Sequence, residues 1–173
     1  ALRLLNLINQ ILEFRKTETQ NKKLCVSKGN IAPLIHEIGL KYKELNQKTK
    51  IDFQIQIEKE EMLLFFDKEI ITIVLDNLIS NAIKYTEQGR VTLSLYQTMR
   101  NEVAYTEIKV SDTGYGISAE ALPHIFDRYY QESGKHQASG TGIGLALVKN
   151  LVTLHEGEIR AESMQNEGST FYI

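Results

Sequence analysis

Two asparagines, Asn77 and Asn81, stand four residues apart, with Lys84 one turn further on. At i, i+4 and i+7 the three share one side of a helix. Amide oxygens are neutral, hard ligands suited to magnesium, which keeps several waters and is shared between protein groups and substrate phosphates. The lysine supplies a cation to set against phosphate charge. Downstream come two glycine-rich loops, Asp112-Thr-Gly114-Tyr-Gly116 and Gly140-Thr141-Gly142-Ile143-Gly144. The combination suits a nucleotide site built without a Walker loop, because Gly-x-x-x-x-Gly-Lys-Ser/Thr is absent from the chain. The second loop also lacks the Gly-x-Gly-x-x-Gly spacing of a dinucleotide fold, and it follows a polar stretch where that fold needs a strand.

Each feature taken alone has a plainer explanation: a solvated asparagine pair, an Asx turn at Asp112, ordinary glycine turns. The elements that carry them decide the matter. Asp67 to Tyr85 reads as one helix, with Ile70, Ile73, Val74, Leu78 and Ala82 as its buried stripe. Ile108 and Val110 end a strand-like run that delivers Asp112, after which Gly114 and Gly116 permit close backbone approach. A carboxylate there accepts a hydrogen bond from an exocyclic amine. Adenine offers that donor, whereas guanine presents a carbonyl oxygen, so Asp112 would select adenine by about 1.5–3 kcal/mol, or about 10- to 150-fold. From Gly144 onward Leu145, Val148, Leu151, Val152 and His155 follow helical spacing, and Gly157 stands at the C-terminal cap position. Backbone N–H groups opening that helix would face a phosphate held by the second loop.

The rest of the chain supplies a sheet. Ile51 to Ile57 alternates strictly between apolar and polar residues, Met62 to Phe66 follows a charged turn, and Arg90 to Gln97 with Val103 to Val110 form a hairpin around Met99 to Glu102. Glu158 to Met164 and Ser169 to Ile173 give a last hairpin. A further helix is expected from Asn30 to about Lys48, burying Ile31, Leu34, Ile35, Ile38, Tyr42 and Leu45. Gln131 to Gly140 has no apolar periodicity and is expected to be mobile, as a cover over phosphates would need to be.

Five elements then carry a family resemblance: Asp76-Asn77-Leu-Ile-Ser-Asn81-Ala-Ile-Lys84-Tyr85-Thr86, Asp112-x-Gly114-x-Gly116, Ile125-Phe126-Asp-Arg128-Tyr129, Gly140-x-Gly142-x-Gly144-Leu145 and Gly168-Ser-Thr170-Phe171. In this order they resemble the catalytic domain of two-component sensor histidine kinases. The resemblance implies an α/β (α+β) sandwich: a mixed, mostly antiparallel sheet with helices on one face and a mobile ATP lid, preceded by one amphipathic helix. It implies ATP and Mg2+ as cofactors, with Asn81 as magnesium ligand and Asn77, Asn81 and Arg128 as the catalytic set. Lys84, Tyr85, Ile117 and Tyr129 would line the nucleotide, Asp112 with Gly114 and Gly116 would read the adenine amine, and Gly140, Thr141, Gly142, Ile143, Gly144 and Leu145 would wrap the phosphates. Thr170 would approach the adenine pocket. Where the family often has a second arginine after the phenylalanine element, this chain has Gln131, so lid charge must come from Arg128, Lys135 or a partner chain.

Related ATPases of this fold, including DNA gyrase, mismatch-repair and heat-shock chaperone proteins, have a glutamate where this chain has Asn77. An amide cannot act as that general base at neutral pH, which disfavours water as acceptor. A neutral imidazole already has a nucleophilic lone pair, so transfer to a histidine needs mainly positioning and charge balance. The expected activity is therefore an ATP-dependent protein histidine kinase, with an ATP-hydrolysing switch or a non-catalytic nucleotide-binding scaffold as alternatives.

None of the four histidines suits the acceptor role. His36 lacks the Arg-Thr-Pro that follows family acceptors and falls off its helix's apolar stripe. His155 lies on an apolar face near a helix C-terminus, while His124 and His136 fall in loops. In the family the acceptor sits on the first helix of a dimerising hairpin. Residues 1–22, with Leu4, Leu5, Ile8, Ile11 and Leu12 at helical spacing, resemble the end of its second helix, leaving 23–173 as the catalytic domain. The resemblance implies as partners that dimerisation and phosphoacceptor domain, a response-regulator receiver domain and a second copy of the full-length protein. It places this region in the cytoplasm, with anchoring in the inner membrane further upstream.

Composition fits one domain plus this appendage. A chain of 173 residues can bury a sizeable core, and a net charge of −2 gives no reason to expect nucleic acid as a partner. The single cysteine, Cys25, excludes an internal disulfide and suits a reducing compartment. No cluster has zinc spacing, so no structural metal is expected.

Overall fold

A computed structural model describes residues 23–47, 50–131 and 141–173, together with Ile8, Ile11, Leu12 and Arg15. Most of the expected leading helix, and with it Leu4 and Leu5, lies outside the described residues, as do Lys48 and the stretch 132–140 that contains Lys135, His136 and Gly140. Ile8, Ile11 and Leu12 are helical and exposed.

The site is carried by a five-stranded sheet in the order β2-β4-β5-β7-β6, where β2 is Ile51–Ile57, β4 Gly89–Arg100, β5 Val103–Asp112, β6 Arg160–Met164 and β7 Gly168–Tyr172. The β2–β4 pair is parallel and the other three pairs are antiparallel, as expected. Asn101 and Glu102, both at positive φ, close the β4–β5 hairpin where the turn was expected. Period-two alternation sends Val91, Leu93 and Leu95 of β4 and Ile108 and Val110 of β5 to one face, where all five are buried.

Helices α1 (Ala32–Leu45) and α2 (Lys68–Lys84) cover that face, and α3 (Gly144–Leu154) packs against α2. Ile35, Ile70, Leu75, Leu78, Ile79, Leu147 and Leu151 fill the space between helices and sheet. The buried side of α2 is wider than the expected stripe, since Leu75 and Ile79 are buried as fully as Ile70, Val74 and Leu78. On α1 the stripe stops early: Tyr42 still stacks on Phe53 of β2, but Leu45, where the helix ends, is 67% exposed. His36 is exposed, as its position off the stripe requires. α1 is tied to α2 by Asp76, whose Oδ1 accepts from Tyr42 Oη at 2.9 Å and Lys41 Nζ at 3.0 Å. Burial and the neighbouring Asp76 carboxylate push the Tyr42 phenol well above its ordinary range.

One strand was not expected. β1 (Ser27–Asn30) pairs antiparallel with β3 (Leu63–Phe66) in a separate two-stranded sheet, so the Met62–Phe66 segment does not join the main sheet. Asn30 holds the junction: its Oδ1 accepts from Ala32 N–H at 3.2 Å and Met62 N–H at 2.9 Å. A four-residue strand of Ser, Lys, Gly and Asn has no apolar alternation, which hides it from periodicity. No helix among the described residues is long and apolar enough to cross a membrane.

Candidate functional site

The C-terminal half of α2 is bordered by both glycine loops. Asp67 caps the helix start, accepting from Glu69 N–H at 2.9 Å and Ile70 N–H at 3.1 Å. Along that side exposure rises from buried Asn77 through half-buried Asn81 to exposed Lys84. Asn77 is therefore not a solvated residue. Its Nδ2 donates to Ile73 O at 2.8 Å, and its Oδ1 faces α3, where a Cβ on Gly144 would lie 3.0 Å away. Asn81 makes no side-chain hydrogen bond among the described residues, which leaves its amide oxygen available as a ligand. Lys84 rests on its neighbour, with Nζ 3.0 Å from Tyr85 Oη and 4.5 Å from the ring centroid. Tyr85 ends the helix, its N–H donating to Asn81 O.

The first loop is bonded on every side. Asp112 Oδ1 accepts from Gly114 N–H at 2.9 Å, an Asx turn, and the Ser169 N–H also donates to this carboxylate. The Asx turn offered as the plainer explanation is thus present, but at a half-buried carboxylate. Burial pushes the Asp112 carboxyl above the ordinary aspartate range, and the Gly114 and Ser169 N–H groups partly oppose that shift. Tyr115 N–H donates to Tyr85 O at 3.1 Å, fastening the loop to the end of α2. After Gly116, Ile117 N–H donates to Ser163 Oγ at 2.8 Å.

The second loop leads into α3. Gly142 has φ +66°, and a Cβ there would come within 2.6 Å of the Tyr129 backbone, so this position requires glycine. Tyr129 answers with φ +61°, and its N–H donates to Gly142 O at 2.8 Å. Thr141 Oγ1 accepts from Ile143 N–H at 3.3 Å, and Ile143 is buried beneath the loop. The N–H groups of Gly144, Leu145 and Ala146 open the helix with no carbonyl one turn back inside it. The phenylalanine element lies alongside: Ile125 is buried, Phe126 meets Phe171 edge-on at 6.4 Å, and Arg128 and Tyr129 are exposed.

Among the described site residues, Thr170 lies across the sheet from Asp112. In the β5–β7 register Asp112 pairs with Ser169, and Ser111 with Thr170. Successive side chains point to opposite faces, so Thr170 lies on the face away from Asp112, where its Oγ1 donates to Ser111 Oγ at 3.1 Å. Ser169 is the residue that shares Asp112's face, is buried, and sits 3.0 Å from Ser163 Oγ. Alternation back from buried Phe171 would have found it. Ser163 carried no sequence signal, because its role comes from the β6–β7 pairing.

The donor set fits a magnesium nucleotide. A half-buried carboxylate flanks the end of α2, an unpaired amide stands one turn from a buried one, and the start of α3 comes close to Asn77 at Gly144. No cluster of three or more acidic, histidine or cysteine side chains able to hold a metal occurs among the described residues. A cation here would take Asn81 and draw its remaining ligands from phosphate and water.

Comparison with known proteins shows the family and fold of this chain. Residues 66–173 match the family described as histidine kinase-, DNA gyrase B-, and HSP90-like ATPase. Histidine kinase P4 of Formosa agariphila is 32% identical over the whole chain, which spans 13% of that protein. Sensor histidine kinase WalK of Bacillus subtilis is 32% identical over 97% of the chain and 28% of its own length. The chain thus spans under a third of these relatives. Among solved structures, the catalytic domain of histidine kinase ThkA is similar with a TM-score of 0.70 and 28% identity, covering 85% of this chain and 92% of that one. Full-length ShkA in complex with AMPPNP shares the fold with a TM-score of 0.84 at 24% identity, over 98% of this chain and 35% of that one.

Proposed function

Because the chain belongs to the histidine kinase-, DNA gyrase B- and HSP90-like ATPase family, we propose that it is the catalytic part of an ATP-dependent protein histidine kinase. It binds Mg·ATP and transfers the γ-phosphoryl group to a histidine on a dimerisation domain, to which we assign residues 1–22 as the closing stretch. Residues 23–173 form the catalytic domain. The full-length protein is a homodimer that passes the phosphoryl group to a receiver domain, and it is anchored in the membrane upstream of this cytoplasmic part.

The observation that carries this reading is Asn77. Hydrolysing members of the fold place a water-activating glutamate at this position. Here it is an amide, buried, with its Nδ2 held by Ile73 O. An amide has no proton-accepting capacity at neutral pH, so the site lacks the base that water needs. A histidine acceptor brings its own lone pair.

Each remaining group has a positional task. Asp112 accepts the adenine amine and excludes guanine. Asn81 Oδ1 is a magnesium ligand, and Lys84 and Arg128 balance phosphate charge from the exposed side. The N–H groups at the start of α3 hold the phosphates from below, set against Asn77 by the close approach of Gly144. Magnesium bound with the triphosphate supplies charge neutralisation at the transferring group.

The direct test supplies Mg·ATP and a separately prepared helical hairpin bearing the acceptor histidine. Acid-labile phosphate on that hairpin, dependent on Asn81, is the expected outcome. Release of inorganic phosphate at an equal rate without any acceptor would replace the kinase with a hydrolytic switch.

A further inference from the structure

The nucleotide loops do not use the far end of the α2–α3 pair, yet the most highly connected side chain of that region lies there. Asp67 is only 3% exposed. Its Oδ1 caps α2, and its Oδ2 accepts from Cys25 N–H at 2.7 Å, on the segment that enters the domain. Its own N–H donates to His155 Nε2 at 2.9 Å, at the C-terminal cap of α3. Three segments that are distant in sequence therefore meet at one residue. In accepting this bond the imidazole carries its proton on Nδ1.

The second meeting point of the same two helices is Asn77 with Gly144. Between the two junctions α2 advances about 15 Å and α3 about 17 Å at 1.5 Å per residue. The helices thus run antiparallel, meeting at the start of α2 and again near its middle over nearly matched lengths. Between these junctions the contact is apolar, made by Leu147, Val148, Leu151 and Val152 of α3. Apolar burial is non-directional and resists axial sliding only weakly. A hydrogen bond is directional and sets register.

We propose that Asp67 and His155 are a positioning pair that fixes the axial register of α3 against α2, and so sets where the second glycine loop stands relative to Asn77. The consequence for affinity rests on the nucleotide reading of that loop. A shift of the α3 C-terminus is carried along a rigid helix to Gly144, so the helix-opening N–H groups no longer line up with the phosphates.

Two variants of the 173-residue chain separate register from mere packing. His155→Leu fills the volume without an acceptor, and His155→Gln restores an acceptor oxygen. Measured are the amide resonances of Gly144 and the Asn77 side chain, affinity for Mg2+ with a non-hydrolysable ATP analogue, and the thermal midpoint. The Leu variant is expected to move both resonances and weaken binding by about 10-fold, the effect of losing about one charge-assisted hydrogen bond, with Gln returning both to within about threefold of the parent. The idea is overturned if Leu leaves the resonances in place, or if Gln behaves like Leu while both are folded. Should the Leu chain unfold, parent-like resonances and affinity in Gln support the pair, and displaced ones overturn it. A parent chain that binds no nucleotide defeats the proposed function alone, since the resonances still decide the register.

Discussion

The two glycine loops differ in how they are held. The first is bonded to α2 through Tyr115, to β7 through Asp112 and to β6 through Ile117, so its shape is fixed by the sheet and by a helix end. The second, among the described residues, is held by the Tyr129–Gly142 bond, the Thr141 side chain and the start of α3. A rigid wall suits the part of a ligand that must be recognised by shape and donor pattern. A loop fastened mainly by one helix suits a group that must be received and then released. On the proposed function, base selectivity would belong to the first loop and phosphate handling to the second.

The largest effect should come from the proposed magnesium ligand on α2. Asn81→Ala is expected to lower phosphoryl transfer to a supplied acceptor by about 100- to 1,000-fold, the range seen when one electrostatic stabiliser is removed. Its circular dichroism should match the parent, because Asn81 makes no side-chain hydrogen bond among the described residues. Next in size is Asp112→Ala, which should weaken the ATP analogue by about 10- to 150-fold and leave weak GTP-analogue binding unchanged.

Gly142→Ala sharpens the contrast. It forces a Cβ to within 2.6 Å of the Tyr129 backbone at φ +66°, a strain of about 1–3 kcal/mol. It should weaken ATP and GTP analogues by the same factor, about 10-fold, in calorimetric titrations. Equal loss for both bases in Asp112→Ala, or base-selective loss in Gly142→Ala, would break the division between the loops.

A pH series probes the first loop alone. Burial raises the Asp112 carboxyl in the folded chain, so the folded form keeps that proton to higher pH than the unfolded form. Its contribution to stability is complete below the ordinary aspartate range and is lost as pH rises through the raised value. Asp112→Asn removes that loss, so its thermal midpoint should gain on the parent's between acid and neutral pH. Nucleotide affinity runs the other way, falling as pH drops and the carboxylate is protonated. The smallest effect belongs to Thr170→Val, within about twofold on nucleotide affinity, because the residue lies on the opposite face of the sheet.

Much of this architecture was legible in the sequence. Helix α2, the β4–β5 hairpin and α3 follow from unbroken apolar periods with clear stops, Asp67 and Tyr85 among them. The asparagine pair could be placed because helical spacing is rigid. What escaped depends on tertiary context. β1 has no apolar pattern and exists by pairing with β3. Thr170 lies on the opposite sheet face from Asp112, a matter of one residue of strand alternation that the sequence pattern did not resolve. Asn77 looked like surface by residue type, and only the packing of α3 against α2 makes it a buried amide. His155 read as an apolar-face histidine; its bond to Asp67 spans 88 residues and lies beyond local pattern.

The central claim is an adenine-selective magnesium-nucleotide site, and calorimetric titration with Mg2+ plus a non-hydrolysable ATP analogue, its GTP counterpart, and the ATP analogue on Asp112→Ala tests it most directly. Saturable ATP-analogue binding, about 10- to 150-fold weaker with the GTP counterpart and weakened in the variant, is predicted; no binding by the parent, or equal binding of both bases, would contradict the account.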